Sequence, residues 1–250
     1  MDNSILELPD DLSYYRDAFA LIVAGGRGVR MASPLRKQYL DLAGLPILAR
    51  TLKQFIDYKG IRAVVVVVPD QDMEFCIEEI LKPHGLEDAV LLVAGGSDRQ
   101  ASVRNGLLAI MKLKDNGCLV MIHDGVRPFA EHSMIQRCLE AARRHGAAIP
   151  VVPVTDTLVR GDKEGFAVKN VERNALFQVQ TPQCFDLDLV FAAHEHALET
   201  RFVGTDDASL VEHLGHRVFM TLGSSTNIKI TTRDDLLLAH GLVNLERSKA

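Results

Sequence analysis

Apolar residues fall along this chain in two alternating patterns. Short unbroken runs at 20–24, 63–68, 89–93, 118–122 and 147–152 read as strands buried on both faces. Between them apolar positions recur every three or four residues, as on one face of a helix. Residues 46–55 place Ile47, Leu48, Leu52 and Phe55 on such a face, with Pro46 suited to the first turn. Residues 71–82 read as a helix stopped by Pro83 and Gly85. Residues 98–114 repeat Val103, Leu107, Ile110 and Met111 at helical spacing, and 133–145 form another helix. Strand alternating with helix predicts a single α/β domain, a Rossmann-like, mostly parallel sheet with helices on both faces. Ligands in such sheets bind beyond the carboxyl ends of the strands. The loops at Gly25, Gly95 and Asp124 all follow strands and are expected along one edge.

The rhythm breaks at 153–180. Residues 153–160 and 168–171 read as two polar strands around a turn at 161–165. A projecting hairpin is marginal alone, so the arm at 153–175 needs a partner, and a second copy of the chain is the expected one. Helices at 187–200 and 206–214, strands at 217–222 and 227–230, and a helix at 233–244 follow. Residues 1–17 are acidic and polar and read as an extension before a domain spanning 18–250.

The charge balance narrows the partners. The net charge is −5 and the isoelectric point near 6.0. That argues against nucleic acid, whose binders carry a basic excess. No apolar run approaches the roughly 18 residues of a membrane span, and the N-terminus lacks the basic start and apolar core of a secretion signal. The cysteines Cys76, Cys118, Cys138 and Cys184 have no metal-type spacing and suggest reduced thiols in the cytoplasm. The nine histidines form no metal pattern, and His194 and His196 face different ways on a helix.

The first strand runs into Gly25-Gly26-Arg27-Gly28, followed by Arg30 and Lys37. Glycines let backbone N–H groups approach a ligand, and fixed cations suit a polyphosphate. The alternatives are a plain strand-to-helix turn or a dinucleotide fingerprint. The second fails, because Met31 stands where the third glycine belongs and no acidic residue ends a second strand at the required distance. A Walker loop fails for want of Gly-Lys-Ser/Thr.

Gly28-x-Arg30-Met31 and Arg36-Lys37-Gln38-Tyr39-Leu40 resemble the signature of nucleotidyltransferases with a GT-A-like fold. His123-Asp124-Gly125-Val126-Arg127-Pro128, Thr181-Pro182-Gln183, Thr205-Asp206-Asp207-Ala208-Ser209 and Asn227-Ile228-Lys229-Ile230-Thr231 follow in order. Together the motifs resemble the 2-C-methyl-D-erythritol 4-phosphate cytidylyltransferase family over roughly residues 18 to 246. The resemblance implies transfer of CMP from CTP to a sugar-alcohol phosphate, with release of pyrophosphate, in the non-mevalonate isoprenoid pathway. It implies catalytic roles for Arg30, Lys37 and Lys229 at the phosphates, and for Asp124 beside Mg²⁺. Ala24, Gly25, Gly26, Gly28, Gly95, Gly96, Ser97 and Ser102 would hold the nucleotide. Arg127, Thr157, Arg173, Thr181 and Thr205 would hold the acceptor, with Thr157 and Arg173 supplied by the exchanged arm of a homodimer. The bland readings are an ion pair with Asp124 for Arg127, and helix caps for Ser97 and Thr205.

Two positions depart from the family pattern. Arg36 stands where proline is usual. Ser224-Ser225-Thr226 stands where many members carry an acidic residue, so no second metal-facing carboxylate is assigned. The nearest rival function is the same chemistry on ribitol 5-phosphate. A non-catalytic nucleotide-binding module and an NAD-dependent oxidoreductase are the others.

Overall fold

The computed structural model describes residues 18–26, 35–114 and 117–249. Arg30 and Gly28, both expected in the site, lie outside the described residues.

The sheet is built around β1 (Ala18–Val23), which pairs in parallel with β2 (Ile61–Val68) on one side and β4 (Leu119–Asp124) on the other. Beyond β2 lies β3 (Val90–Ala94), also parallel. Beyond β4 come β9 (Gln183–Asp186), β5 (Ala147–Pro153) and β10 (Phe219–Leu222). β9 runs antiparallel to both β4 and β5, whereas β10 is parallel to β5. The short β8 (Phe177–Val179) pairs antiparallel with the end of β5.

Side chains alternate across each strand, and the two sets form separate cores. Ala18, Ala20, Ile22, Val64, Val66 and Val68 pack against α1 (Ile47–Ile56) and α4 (His132–His145). Phe19, Leu21, Val23, Val65 and Val67 pack against α3 (Arg99–Met111), α5 (Leu187–Thr200) and α6 (Asp207–His213). Helix α3 comes unusually near the sheet because of Gly106. A Cβ there would lie 2.3 Å from Leu21 Cδ1 and 2.9 Å from Val67 Cγ2. The last helix, α7 (Arg233–Lys249), closes a third small core with Ile47, Val126, Phe129 and Ile230. No helix among the described residues is long and apolar enough to cross a membrane. All four cysteines are buried and none is disulfide-bonded.

Three expectations need correction. Residues 71–82 are helical but irregular. A 3₁₀ turn at Asp70–Asp72 leads into a short α2 (Met73–Phe75), then π-type winding over Cys76–Leu81 and another 3₁₀ turn at Lys82–His84. The expected strand at 227–230 is absent. That stretch is a loop with local turn bonds, tied to the segment after β4 from Ile230 N to Val126 O (3.0 Å), with Asn227 and Ile230 buried. Finally, β8 and β9 are not anticipated by the sequence pattern. They are three and four residues long, too short to show a period, and Pro182 reads as a strand breaker.

The arm is a separate two-stranded sheet of β6 (Leu158–Gly161) and β7 (Ala167–Val171). Every residue of both strands is exposed, and Phe166 and Val168 are 69% and 61% exposed.

Candidate active site

Strand ends build the site. A cavity of about 550 Å³ opens at the carboxyl edge of β1, β2, β3 and β4. Its floor is Val23 to Gly26 from β1, Gly95 to Asp98 from the loop after β3, and Asp124 at the end of β4. Lys37 and Lys229 enter from two other loops. The described part of the site therefore gathers Lys37, Lys229, Asp124, Ala24, Gly25, Gly26, Gly95, Gly96, Ser97 and Ser102 around one space.

Local rules explain the loop after β3. Asp98 caps α3, its side chain accepting from Ala101 N at 2.8 Å. That amide, followed by Ser97, holds the Asp98 carboxyl below its ordinary range. The cap is thus Asp98, and Ser97 only donates its hydroxyl to Asp98 Oδ2 (2.9 Å). Ser102 Oγ accepts from Gly96 N (3.0 Å) and donates to Asp98 O (2.7 Å), which folds the glycine loop back on the helix. A Cβ on Gly96 would lie 2.5 Å from Ala101 Cβ, so only glycine permits this close return. The result is a concave run of small residues at the positive end of a helix, a suitable seat for an anion.

Asp124 is the electrostatic centre. Its Oδ2 lies 2.9 Å from Lys229 Nζ and 3.4 Å from Arg127 Nε, and its Oδ1 3.8 Å from Arg99 Nε. Burial alone would push this carboxyl up. Lys229, Arg99 and Arg127 together outweigh burial and hold it well below the usual carboxylate range. Its backbone is fixed too. Asp124 N donates to Thr181 Oγ1 (3.2 Å), and Thr181 Oγ1 meets His123 Nδ1 at 3.0 Å. His123 Nε2 faces Arg127 O at 3.0 Å, an atom that can only accept. Nε2 therefore carries the proton, and Nδ1 accepts from Thr181. Burial pulls His123 down to about 4 and keeps it neutral.

Several expected residues lie elsewhere. Arg127 forms the ion pair that was its bland alternative, and also donates to Asn227 O (2.7 Å). Thr181 is buried behind Asp124, with its hydroxyl already engaged. Thr205 is exposed and does not cap α6. Asp206 does, in a reciprocal box with Ser209. Thr157 and Arg173 stand at the base of the arm, where Arg173 donates to Thr155 O. Neither lines this cavity.

Arg99 is a site residue that sequence reasoning missed. It lines the cavity, reaches toward Asp124, and is held from behind by Asp207 (2.7 Å). Asp207 is completely buried and meets His194 Nε2 at 3.1 Å. The available signal was its place in the first turn of the helix after the glycine loop. His194, read as incidental, is part of this support.

The cavity thus offers small backbone-rich walls and several cations around the Asp124 carboxylate, with Asp70 and Asp98 also in its lining. That set suits a nucleotide polyphosphate. The sequence profile of the 2-C-methyl-D-erythritol 4-phosphate cytidylyltransferases matches residues 18–244. The chain belongs to that family. This cytidylyltransferase is 43% identical over 225 residues to the enzyme of that name from Geobacter metallireducens, covering 90% of this chain and 97% of the relative. It is 43% identical over 224 residues to the one from Clostridium beijerinckii, covering 90% and 97%. The crystal structure of the cytidylyltransferase from Thermus thermophilus matches with a TM-score of 0.74 at 36% identity, covering 90% of this chain and 98% of that one. A 4-diphosphocytidyl-2C-methyl-D-erythritol synthase structure from Anaerococcus prevotii matches at 0.78 and 30% identity, covering 93% and 98%. The oxidoreductase and non-catalytic readings fall with this membership.

Proposed function

We infer that this chain transfers the CMP unit of CTP to the phosphate of 2-C-methyl-D-erythritol 4-phosphate, in isoprenoid biosynthesis. Family membership carries the activity. The observation that supports the site is the meeting of Lys37, Lys229 and Asp124 at the glycine-walled cavity.

The chemistry asks for little proton transfer. An acceptor phosphate oxygen forms a bond to the α-phosphorus, and the bond from that phosphorus to pyrophosphate breaks. The second pKa of a phosphate monoester is about 6, so the nucleophile is already largely ionised at neutral pH. The difficulty is to bring anions together and to hold the charge that develops. Lys37 and Lys229, with Arg30, neutralise the phosphates. Ala24, Gly25, Gly26, Gly95 and Gly96 present main-chain groups to the base and sugar, with Ser97 and Ser102 shaping the loop. Arg99 adds a further cation beside Asp124.

Among the described residues no cluster of three or more His, Cys, Asp or Glu could hold a metal ion. Magnesium needs less than that, being content with one or two carboxylates plus phosphate oxygens and water. Asp124 fits, since its Oδ2 is closely paired with Lys229 at 2.9 Å while Arg99 stands 3.8 Å from Oδ1. Asp124 would hold the ion, which when bound offsets charge on the phosphates.

The exposed arm supports a homodimer in which Thr157 and Arg173 reach the acceptor phosphate of the neighbouring site. Four buried thiols without disulfides support a reducing compartment, the cytoplasm.

Purified protein with CTP, Mg²⁺ and acceptor tests the reading through pyrophosphate release. Turnover with 2-C-methyl-D-erythritol 4-phosphate is expected. Preference for ribitol 5-phosphate would overturn the acceptor, and no release with either would overturn the activity.

A further inference from the structure

The loop that carries Lys37 is fastened on both sides of that residue. On one side Arg36 Nε lies 2.6 Å from Asp72 Oδ2, with both side chains largely buried. On the other, Tyr39 donates its hydroxyl to the same oxygen at 3.1 Å, and its ring packs on Phe75 with centroids 5.0 Å apart. Between them Gln38 donates Nε2 to Ala24 O at 2.6 Å. One short turn, Lys37–Tyr39, is thereby tied both to the end of β1 and to the irregular segment after β2.

The backbone of Arg36 explains why Asp72 matters. It sits at φ −63° and ψ 144°, with φ at the value a proline ring would fix. An arginine has no such covalent restraint, so the restraint must come from outside. Asp72 supplies it by taking donors from the residues that flank Lys37 and Gln38. Lys37 lies beside the glycine wall, its Cε 3.6 Å from where a Cβ on Gly26 would be. Because its ammonium rides on a long flexible stem, the setting of the loop decides where the charge is delivered.

We propose that Asp72 is a positioning residue: by gripping Arg36 and Tyr39 together it holds the loop in the shape that delivers Lys37 to the cavity, in place of a proline at 36. The proposal rests on the reading of Lys37 as a cation of the reaction. A merely structural ion pair would show in the Tm and leave kcat untouched. A contact of Arg36 itself with the phosphates would make its charge indispensable.

Steady-state kinetics on Asp72→Ala and on the double variant Arg36→Pro/Asp72→Ala separate these cases. Asp72→Ala should lower kcat about tenfold or more, because small misplacements of a reacting group are costly. KM for both substrates should stay within about threefold and the Tm within a few degrees. Proline at 36 in the same background should return kcat to within about threefold of the wild type, its fixed φ replacing the grip. A normal kcat in Asp72→Ala, or a double variant no faster than Asp72→Ala, would overturn the proposal. Lys37→Ala measured alongside keeps the two readings apart. If it retains kcat, the role of Lys37 fails. If it loses kcat while Asp72→Ala does not, only the positioning role fails.

Discussion

Lys37 and Lys229 sit almost two hundred positions apart in sequence, yet both line one cavity with Asp124. In the proposed reaction their value lies in charge delivered where the phosphates react, with no proton to move. Lys37→Ala should lower kcat by about 10²–10³-fold with the Tm unchanged, the usual cost of losing one preorganised electrostatic contact. Steady-state pyrophosphate release checks this, and near-normal kcat would remove Lys37 from the mechanism. Asp124 is different, because it balances three cations. Asp124→Asn takes away the carboxylate shared by Lys229, Arg127 and Arg99, leaving Arg99 to Asp207 alone, and should both abolish turnover and destabilise the fold. We expect a loss of about 2–4 kcal/mol in urea denaturation, below the figure for a fully buried pair because Lys229 is partly solvated. Unchanged stability would show that the three cations find other partners.

At the level of elements, β4 is the strand on which chemistry and stability meet. Its last two residues are His123 and Asp124, and Thr181, just before β9, ties them together. Burial lowers His123 from 6.5 to about 4. Between those values the unfolded chain holds a proton there that the folded chain does not. Stability should therefore fall as pH drops from 6.5 toward 4, by up to about 3 kcal/mol. The paired carboxylates Asp124 and Asp207 stay ionised in the fold through that range, so their contribution is lost only at lower pH. Melting curves across this window should show the slope, and His123→Asn should flatten it. An equally steep slope in the variant would point to another group. The strands that were legible in the sequence are those whose whole face is apolar, such as Val64 to Val68. β8 and β9 were not legible, since their signal is pairing with β5 and β4 rather than local pattern. Likewise the cavity residues at strand ends could be read from glycine and charge. Arg99 was legible only as a first-turn position after the glycine loop, because its setting depends on Asp207 and His194, brought to it from α6 and α5.

For the molecule as a whole, the arm is the part without support of its own. If Arg173 serves the neighbouring site, Arg173→Ala should raise KM for the acceptor more than KM for CTP. It should also be rescued in trans. Mixed and reassembled, and assayed with acceptor far below the KM of the Arg173→Ala variant, Lys37→Ala and Arg173→Ala chains would form heterodimers in half the population, each with one intact site. About one quarter of wild-type activity should reappear. No recovery in mixtures proven to exchange subunits would mean that each site is completed by its own chain. The close seat of α3 reaches further than packing. Gly106 lies two turns from Arg99 and touches no part of the cavity, yet it sets how deep the helix sits against Leu21 and Val67. Adding a methyl group there would lift the helix, and with it the glycine loop that walls the cavity. If that loop seats the nucleobase as proposed, a screen for altered triphosphate preference that varied only pocket-lining codons would pass over Gly106, and Gly106→Ala should raise KM for CTP in steady-state assays.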